Sequence, residues 1–465
     1  MNPEEFFNSL IDYEKIPGYD YKLEDFIEFL TQFDSPQKRL NNLIHIAGTK
    51  GKGSTAAMIS SCLEACGYRV GLFTSPHLER INERIKINSI EISNHQLNKY
   101  IEEIRPYINM KTRVGARPVK YRKLPGAPPI KHHEFHGART YFEILTTIAF
   151  LHFLKKKTDF TILEVGLGGR LDSTNVTNPI ISVITRIGYD HTNLLGNRLS
   201  QITREKAGII KNCGKLITIK QRPTVQEIIE KTCRAKSCSL SLAESQHDIK
   251  IVRPTIKGSH LKTKGEIGKF NTFLPLPGKH QVENLLIALA VINELGKMGF
   301  KIPVPAIQKG IRQTDLHGRF EIISPKNLVP YFRESTQSGT LRERAKRPLI
   351  IFDCAHNQDS FEALGKNLNL INTKDLYLIF ATNKDKDIRY CLKYIFPRAK
   401  EVLLVKSDNP RAMEPIDLYE RAKKYQKNLI VAPSVQKVIE YIKTKTHHNP
   451  TILITGSFYL WQPTW

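Results

Sequence analysis

Short apolar runs bounded by glycine or polar residues recur along the chain, and most are followed by segments whose apolar positions repeat every three to four residues. Such runs predict buried strands, and the repeats between them predict helices laid on a sheet. Leu43–Ala47, Arg69–Phe73, Phe160–Val165 and Ile181–Thr185 form a first series of strands. Met58, Ile59, Cys62, Leu63 and Cys66 make the apolar face of the helix after the first strand, with Gly67 placed to end it. Upstream, Phe26, Ile27, Leu30 and Phe33 stand at helical spacing and stop near Ser35-Pro36, so residues 1 to 40 read as short helices. An apolar helix opens at Thr140 and runs through Leu151, residues 245 to 273 are strand-rich, and another apolar helix spans Leu285 to Leu295. The pattern pauses from Gly296 to Pro303. It resumes with a short helix, Ala306 to Arg312, and strands at 349–353, 376–380, 401–405, 429–432 and 451–455 with helices between them. Alternation of this kind predicts a doubly wound α/β domain, and the pause predicts two domains, 1–298 and 299–465.

Composition narrows the class. A chain of 465 residues with 40% hydrophobic content can bury substantial cores. No run approaches the ~18 apolar residues of a membrane span, and the start lacks the basic-then-apolar pattern of a signal peptide. The expectation is a cytoplasmic protein with no membrane partner. Seven cysteines, with no C-x-x-C pair, read as reduced and structural. The net charge of +25 invites a nucleic-acid reading, but the excess is uneven. Nine basic residues against the single Glu134 lie in an insertion at about 105–139, and six against two acidic residues lie in a second loop at about 323–347. Both carry loop-forming residues and little aromatic interleaving for base stacking. Solvated basic insertions are the plain reading; attraction of a polyanionic small substrate is the alternative.

The candidate chemistry starts at Ile46-Ala47-Gly48-Thr49-Lys50-Gly51-Lys52-Gly53-Ser54-Thr55, a buried strand running through a glycine turn into a helix. Glycines let backbone N–H groups approach an anion, Lys52 adds a point charge, and the helix offers its positive end. The spacing departs from G-x-x-x-x-G-K-[ST], because Ile46 stands at the first glycine and Gly53 separates Lys52 from Ser54. Glu164 closes a parallel strand, where a carboxylate can hold Mg²⁺ beside a phosphate.

The compressed loop A-G-T-x-G-K-G-S-T resembles that of the folylpolyglutamate synthase and dihydrofolate synthase family, relatives of the Mur ligases. Lys50 stands where the family usually has Asn, adding a charge beside the triphosphate. Further motifs follow in family order: Ser75-Pro76-His77-Leu78 with the R-I-x-E-R-I run from Arg80, Thr140-Tyr141-Phe142-Glu143, and Glu164 to Asn175 as E-V-G-L-G-G-R-L-D-x-T-N. Asp190-His191, Glu205-Lys206-Ala207-Gly208, G-x-H-Q-x-x-N ending at Asn284, Gly318-Arg319, Asp353-Cys354-Ala355-His356-Asn357, Lys384-Asp385-Lys386-Asp387, Pro410-Arg411-Ala412 and Gly456-Ser457-Phe458 complete the series. His317 replaces the proline usual before Gly318, which predicts a looser turn.

The resemblance implies an α/β architecture, with an N-terminal P-loop-type ATPase domain of mostly parallel sheet and a C-terminal doubly wound, Rossmann-like domain. It assigns ATP to Gly48, Thr49, Gly51, Lys52, Gly53, Ser54, Asn284, Arg319 and Asp353. Two Mg²⁺ sites fall to Ser75, Glu164, His191 and, if carbamylated, Lys206. Lys52, His191, Lys206 and Arg319 are the implied catalytic residues. Tyr141, Phe142, Glu143, Leu171, Asp172, Ser173 and His356 are assigned to pterin or folate and to L-glutamate. From pattern alone, Phe142 is as well read as core, Asn284 as a helix cap, and Lys206 as a helix-face charge paired with a neighbour such as Glu205. An unmodified ammonium at Lys206 would repel a close metal ion, so either it carries a carbamate or its amine faces a phosphate. The implied reaction is ATP-dependent joining of L-glutamate to dihydropteroate or folate through an acyl phosphate, by a monomer acting on small molecules and not on nucleic acid. The alternatives are a Mur-type cell-wall ligase, a basic P-loop ATPase on nucleic acid, and a ligase fold that binds without catalysis.

Overall fold

The computed structural model describes residues 3–10, 22–108, 139–323, 348–371, 373–384, 386–409, 411–445 and 450–461. Most of both basic stretches, together with Asp385 and Pro410 of the late motifs, lies outside them. Contacts divide the chain into two compact units: Met1–Ile249 with Thr263–Phe270 and Glu283–Gln313, and Lys250–Lys262 with Asn271–Val282 and Thr314–Trp465.

The first unit is built on an eight-stranded sheet. Its strands are β1 (Leu43–Ala47), β2 (Val70–Phe73), β3 (Ile85–Ile87), β4 (Ile90–Glu91), β5 (Phe160–Glu164), β6 (Ile181–Ile184), β7 (Lys215–Thr218) and β8 (Ser239–Leu242), in the order β4-β3-β2-β5-β1-β6-β7-β8. The pairs from β2 to β8 are parallel, and the β3–β4 hairpin adds an antiparallel edge. Every residue of β1 and β5 is buried, as a strand covered on both faces requires. Ile46 pairs with Glu164 on one side and Val183 on the other, so the ends of β5, β1 and β6 lie level. The chain leaves β1 toward β2 on one side and later returns on the other as β6. That change of direction makes the level ends the place where ligands bind in open α/β sheets.

Several elements differ from expectation. Helix Asn94–Ile108 and the β3–β4 hairpin occupy stretches to which the pattern assigns no element, and the helix takes in the first four positions of the basic insertion, Arg105 among them. Helix Val304–Gln313, expected beyond the linker, packs on helix Lys52–Ala65: Ser61 Oγ donates to the Gly310 carbonyl at 2.7 Å, and a Cβ on Gly310 would stand 2.5 Å from Cys62 Cα. The strand-rich region is a three-stranded sheet of β9 (His247–Thr255), β10 (Gly258–Gly265) and β11 (Gly268–Leu274). The helix after it spans Lys279–Lys297, six residues longer at its start than the pattern predicts.

The second unit holds β12 (Glu321–Ile323), β13 (Leu349–Asp353), β14 (Leu376–Phe380), β15 (Glu401–Leu404), β16 (Leu429–Val431) and β17 (Thr451–Thr455), in the order β12-β13-β17-β14-β15-β16. All its pairs are parallel except β12 on β13. The late motifs follow β13, β14, β15 and β17, at one edge of this sheet. Asn383 bridges Ala412, and Lys384 N donates to the Arg411 carbonyl at 3.0 Å.

Candidate active site

The phosphate loop is shaped by close approaches that only glycine allows. Gly51, with φ +86°, caps helix Lys52–Ala65, and a Cβ there would overlap the Asn284 amide; a Cβ on Gly48 would overlap the Thr185 hydroxyl. The Arg186 carbonyl accepts from Thr49 N at 3.0 Å and Lys50 N at 3.1 Å, which ties the loop to the end of β6. Asn284 lies within helix Lys279–Lys297, buried against the loop, so the capping role open from the sequence is excluded. Ser54 and Thr55 are buried in the first turn, and the Thr55 hydroxyl finds no partner among the described residues.

Glu164 faces this loop from β5. Its carboxylate is buried, with Oε1 4.0 Å from Lys52 Nζ, Oε2 accepting from Ser75 N at 3.0 Å, and Gly53 leaving just enough room, 3.4 Å for a Cβ. Ser75 begins a loop held by Glu83, whose carboxylate accepts from the backbone N–H of Leu78, Glu79 and Arg80 at 2.7 to 2.8 Å. That carboxylate is the structural reason for the R-I-x-E run.

His191 follows β6 in a left-handed conformation, φ 47°, and starts the short helix Thr192–Leu195. The preceding Asp190 lies 3.5 Å from Lys50 Nζ. The extra charge at position 50 is therefore paired with the protein's own carboxylate, which corrects the expectation of a cation simply added beside the triphosphate.

Lys206 is not a solvated helix-face charge. It is buried near the end of helix Leu199–Ala207, and its amine is held down to about 7, first by desolvation and then by the Lys52 ammonium. Its neighbour Glu205 pairs instead with Arg170 at 3.0 Å. The glycines of both motifs allow this packing: a Cβ on Gly169 would come 2.8 Å from the Glu205 carbonyl and 3.1 Å from Lys206 Cα, and one on Gly208 would strike Arg170.

The residues assigned to substrate divide by exposure. Phe142 is half-buried, its ring against Gly166 and 5.6 Å from Phe73. Tyr141 is half-buried under the Arg84 guanidinium, 5.3 Å from its ring centre. Leu171 is exposed. Glu143 is buried and occupied by a capping box with Thr140 and an ion pair with Arg139 at 3.3 Å, so its visible role is to start the helix that carries Tyr141 and Phe142. Asp172 and Ser173 are buried; Asp172 accepts from Leu167 N at 2.9 Å and from both Thr174 N and the Thr174 hydroxyl.

Arg319, Asp353 and His356 gather in the second unit. Asp353 accepts from Phe320 N and Ala355 N, each at 2.8 Å, and desolvation pushes its carboxyl up to about 6 against the pull of Arg319. Arg319 lies 5.5 Å from the Phe458 ring centre, and the His356 ring packs 5.3 Å from the same ring. The turn expected to be loose at His317 is tied by Glu321, which contacts His317 Nδ1 at 2.8 Å and accepts from Gly318 N at 2.7 Å. His280 lies half-buried in this unit too, and desolvation with the charges of Arg319 and Lys366 holds its imidazole down to about 4.

Among the described residues no three His, Cys, Asp or Glu side chains converge on a point that would hold a metal ion. The donor set fits Mg²⁺ all the same, because that ion takes one or two protein ligands and fills its shell with phosphate oxygens and water. The buried Glu164 carboxylate and the unpartnered Thr55 hydroxyl beside the glycine cradle meet that need.

Comparison with known proteins agrees with this geometry. The Mur ligase middle domain matches residues 124–292, and the Mur ligase glutamate ligase domain matches residues 340–458. A dihydrofolate synthase/folylpolyglutamate synthase of Bacillus subtilis is 30% identical over 440 residues, covering 93% of this chain and 91% of the relative. Crystal structures of Mycobacterium tuberculosis folylpolyglutamate synthase complexed with ADP and AMPPCP superpose with a TM-score of 0.76 at 27% identity, covering 94% of this chain and 93% of that one. The structure of E. coli FolC in complex with DHPP and ADP superposes with a TM-score of 0.77 at 25% identity, covering 99% and 96%. The chain belongs to the folylpolyglutamate synthase and dihydrofolate synthase family of ATP-dependent, amide-bond-forming ligases.

Proposed function

We propose that this ligase joins L-glutamate both to dihydropteroate and to folates, with the phosphoryl step centred on the cluster of Lys52, Glu164, Ser75, Asp190, His191 and Lys206. The observation that carries the reading is the burial of Glu164 and Lys206 around a glycine cradle that already holds Lys52. While Lys206 is unmodified, its buried amine and the half-buried Lys52 ammonium disfavour each other's charge, and a polyanion such as ATP supplies negative charge that offsets this. The backbone of residues 48–54 cradles the phosphates, Lys52 offsets charge on the transferred group, and Asn284 fixes the loop. Mg²⁺, held by Glu164, Ser75, His191 and a carbamylated Lys206, would neutralise the phosphate oxygens; two ions are proposed. The acceptor carboxylate attacks the γ-phosphate, and the unprotonated glutamate amine then displaces phosphate from the acyl phosphate. Arg319 is the second proposed phosphate cation. Asp353 is kept as an ATP residue, and Tyr141, Phe142, Leu171 and His356 as substrate residues. The proposal extends to a monomeric cytoplasmic enzyme.

An assay with ATP, Mg²⁺ and radiolabelled glutamate tests the acceptor. The proposal predicts label in product with dihydropteroate and with tetrahydrofolate; labelling with only one of them removes the dual activity.

A further inference from the structure

We propose that His45 is a positioning residue for the acceptor loop, orienting Asp172 through the Thr174 hydroxyl and so coupling the strand that carries the phosphate loop to the turn between Gly166 and Asp172. The inference rests on the assignment of that turn to the acceptor substrate.

His45 is the one polar side chain in β1, wholly buried in the middle of the strand. Burying an imidazole among aliphatic side chains is costly unless it is hydrogen-bonded, so its partner matters. That partner is the Thr174 hydroxyl, 2.8 Å from Nε2 and distant in sequence. The hydroxyl and the Thr174 N–H both donate to Oδ1 of Asp172, while Leu167 N donates to Oδ2 at 2.9 Å. A carboxylate can only accept, so the hydroxyl proton is committed to Asp172 and the remaining role for Nε2 is donor. Donation runs one way, from imidazole to hydroxyl to carboxylate, and each bond polarises the next. Nδ1 has no partner among the described residues, as suits the bare nitrogen of this tautomer. Burial and the Lys211 ammonium keep the ring neutral down to about pH 3, so the chain does not change direction over the working range.

The carboxylate fixed in this way sets the turn. Gly166 lies against the Phe142 ring, and Gly169 lies against the helix at Lys206. Releasing the Thr174 hydroxyl would let Asp172 rotate and the turn loosen on both contacts, while the phosphate loop keeps its own ties to Arg186 and Thr185.

Four variants test the relay: His45→Leu, His45→Gln, Thr174→Val and the double variant His45→Leu/Thr174→Val. His45→Leu is expected to raise KM for the pterin acceptor about tenfold while KM for ATP stays within about twofold. His45→Gln, which restores an N–H donor, should recover most of that loss, and the double variant should be no worse than Thr174→Val. Additive effects, equal rises in both KM values, or a glutamine variant as impaired as leucine would overturn the proposal. Hydrogen exchange at the Leu167 amide separates the two layers of the inference. Faster exchange in His45→Leu with an unchanged acceptor KM leaves the relay standing and removes the turn from the acceptor site. Unchanged exchange means that His45 does not position Asp172.

Discussion

The burial of charge around Lys52 sets what single substitutions should do. Lys52→Ala and Glu164→Ala are each expected to lower glutamate-dependent ADP release by at least about 10³-fold, since each removes charge aimed at the transferred phosphoryl group. Circular dichroism should show both folded, and near-normal turnover in either would contradict the site. Lys206 makes a prediction about stability as well. Its amine titrates near 7 in the folded protein and near 10.5 in the unfolded chain, so between these values the unfolded state binds the extra proton. Stability from this residue therefore rises with pH across that window, and the burial penalty is fully present below about pH 7. In CO₂-free buffer at pH 6.5, Lys206→Met should melt higher than the parent by roughly 5 °C, with the gap closing toward pH 10. A lower melting point at pH 6.5 would mean that the lysine is stabilised by a partner that outweighs its desolvation. With CO₂ present the same residue is expected to carry a carbamate, so Lys206→Ala should lose most activity and regain part of it with a short carboxylic acid. Activity indifferent to CO₂ depletion, with no rescue, would leave the phosphate-facing amine as the remaining reading.

Elements differ in how far the sequence revealed them. The strands β1, β5, β6, β13, β14 and β17 are wholly apolar or nearly so, and burial on both faces writes itself into local pattern. Helix Asn94–Ile108 was hidden because Pro106 falls in its last turn, where a proline reads as a break, and β3 and β4 are too short to show alternation. The start of the helix that carries Asn284 was hidden for a related reason: Pro277-Gly278 ends the preceding strand region, and His280 to Glu283 lack the apolar spacing that would announce a helix already under way. The burial of Lys206 and the pairing of Lys50 with Asp190 are tertiary facts, and no local window contains them. The fit of Gly51 against Asn284 gives an element-scale test. Gly51→Ala faces both a left-handed backbone, which costs about 1–2 kcal/mol, and overlap with the Asn284 amide. Isothermal titration with an ATP analogue should show at least about tenfold weaker binding, partly restored by adding Asn284→Ala. Full restoration would mean that backbone strain is immaterial there, and no weakening at all would mean that the loop does not hold the nucleotide.

At the scale of the whole molecule, a net charge of +25 creates a field that attracts anionic small molecules as well as nucleic acid. Among the described residues no helix is long and apolar enough to cross a membrane. If the field serves the ligase reaction, raising salt should lower kcat/KM more for a polyglutamylated folate than for dihydropteroate, which carries one carboxylate. Equal salt slopes would leave the basic stretches as solvated insertions. The central claim is that the acceptor carboxylate itself attacks ATP, and an isotope settles that directly. With ¹⁸O in both carboxylate oxygens of dihydropteroate, and with ATP and L-glutamate present, the account predicts that each phosphate released carries one ¹⁸O drawn from the acceptor. Phosphate free of label would show that the carboxylate never bonded to phosphorus, and would contradict the acyl-phosphate mechanism.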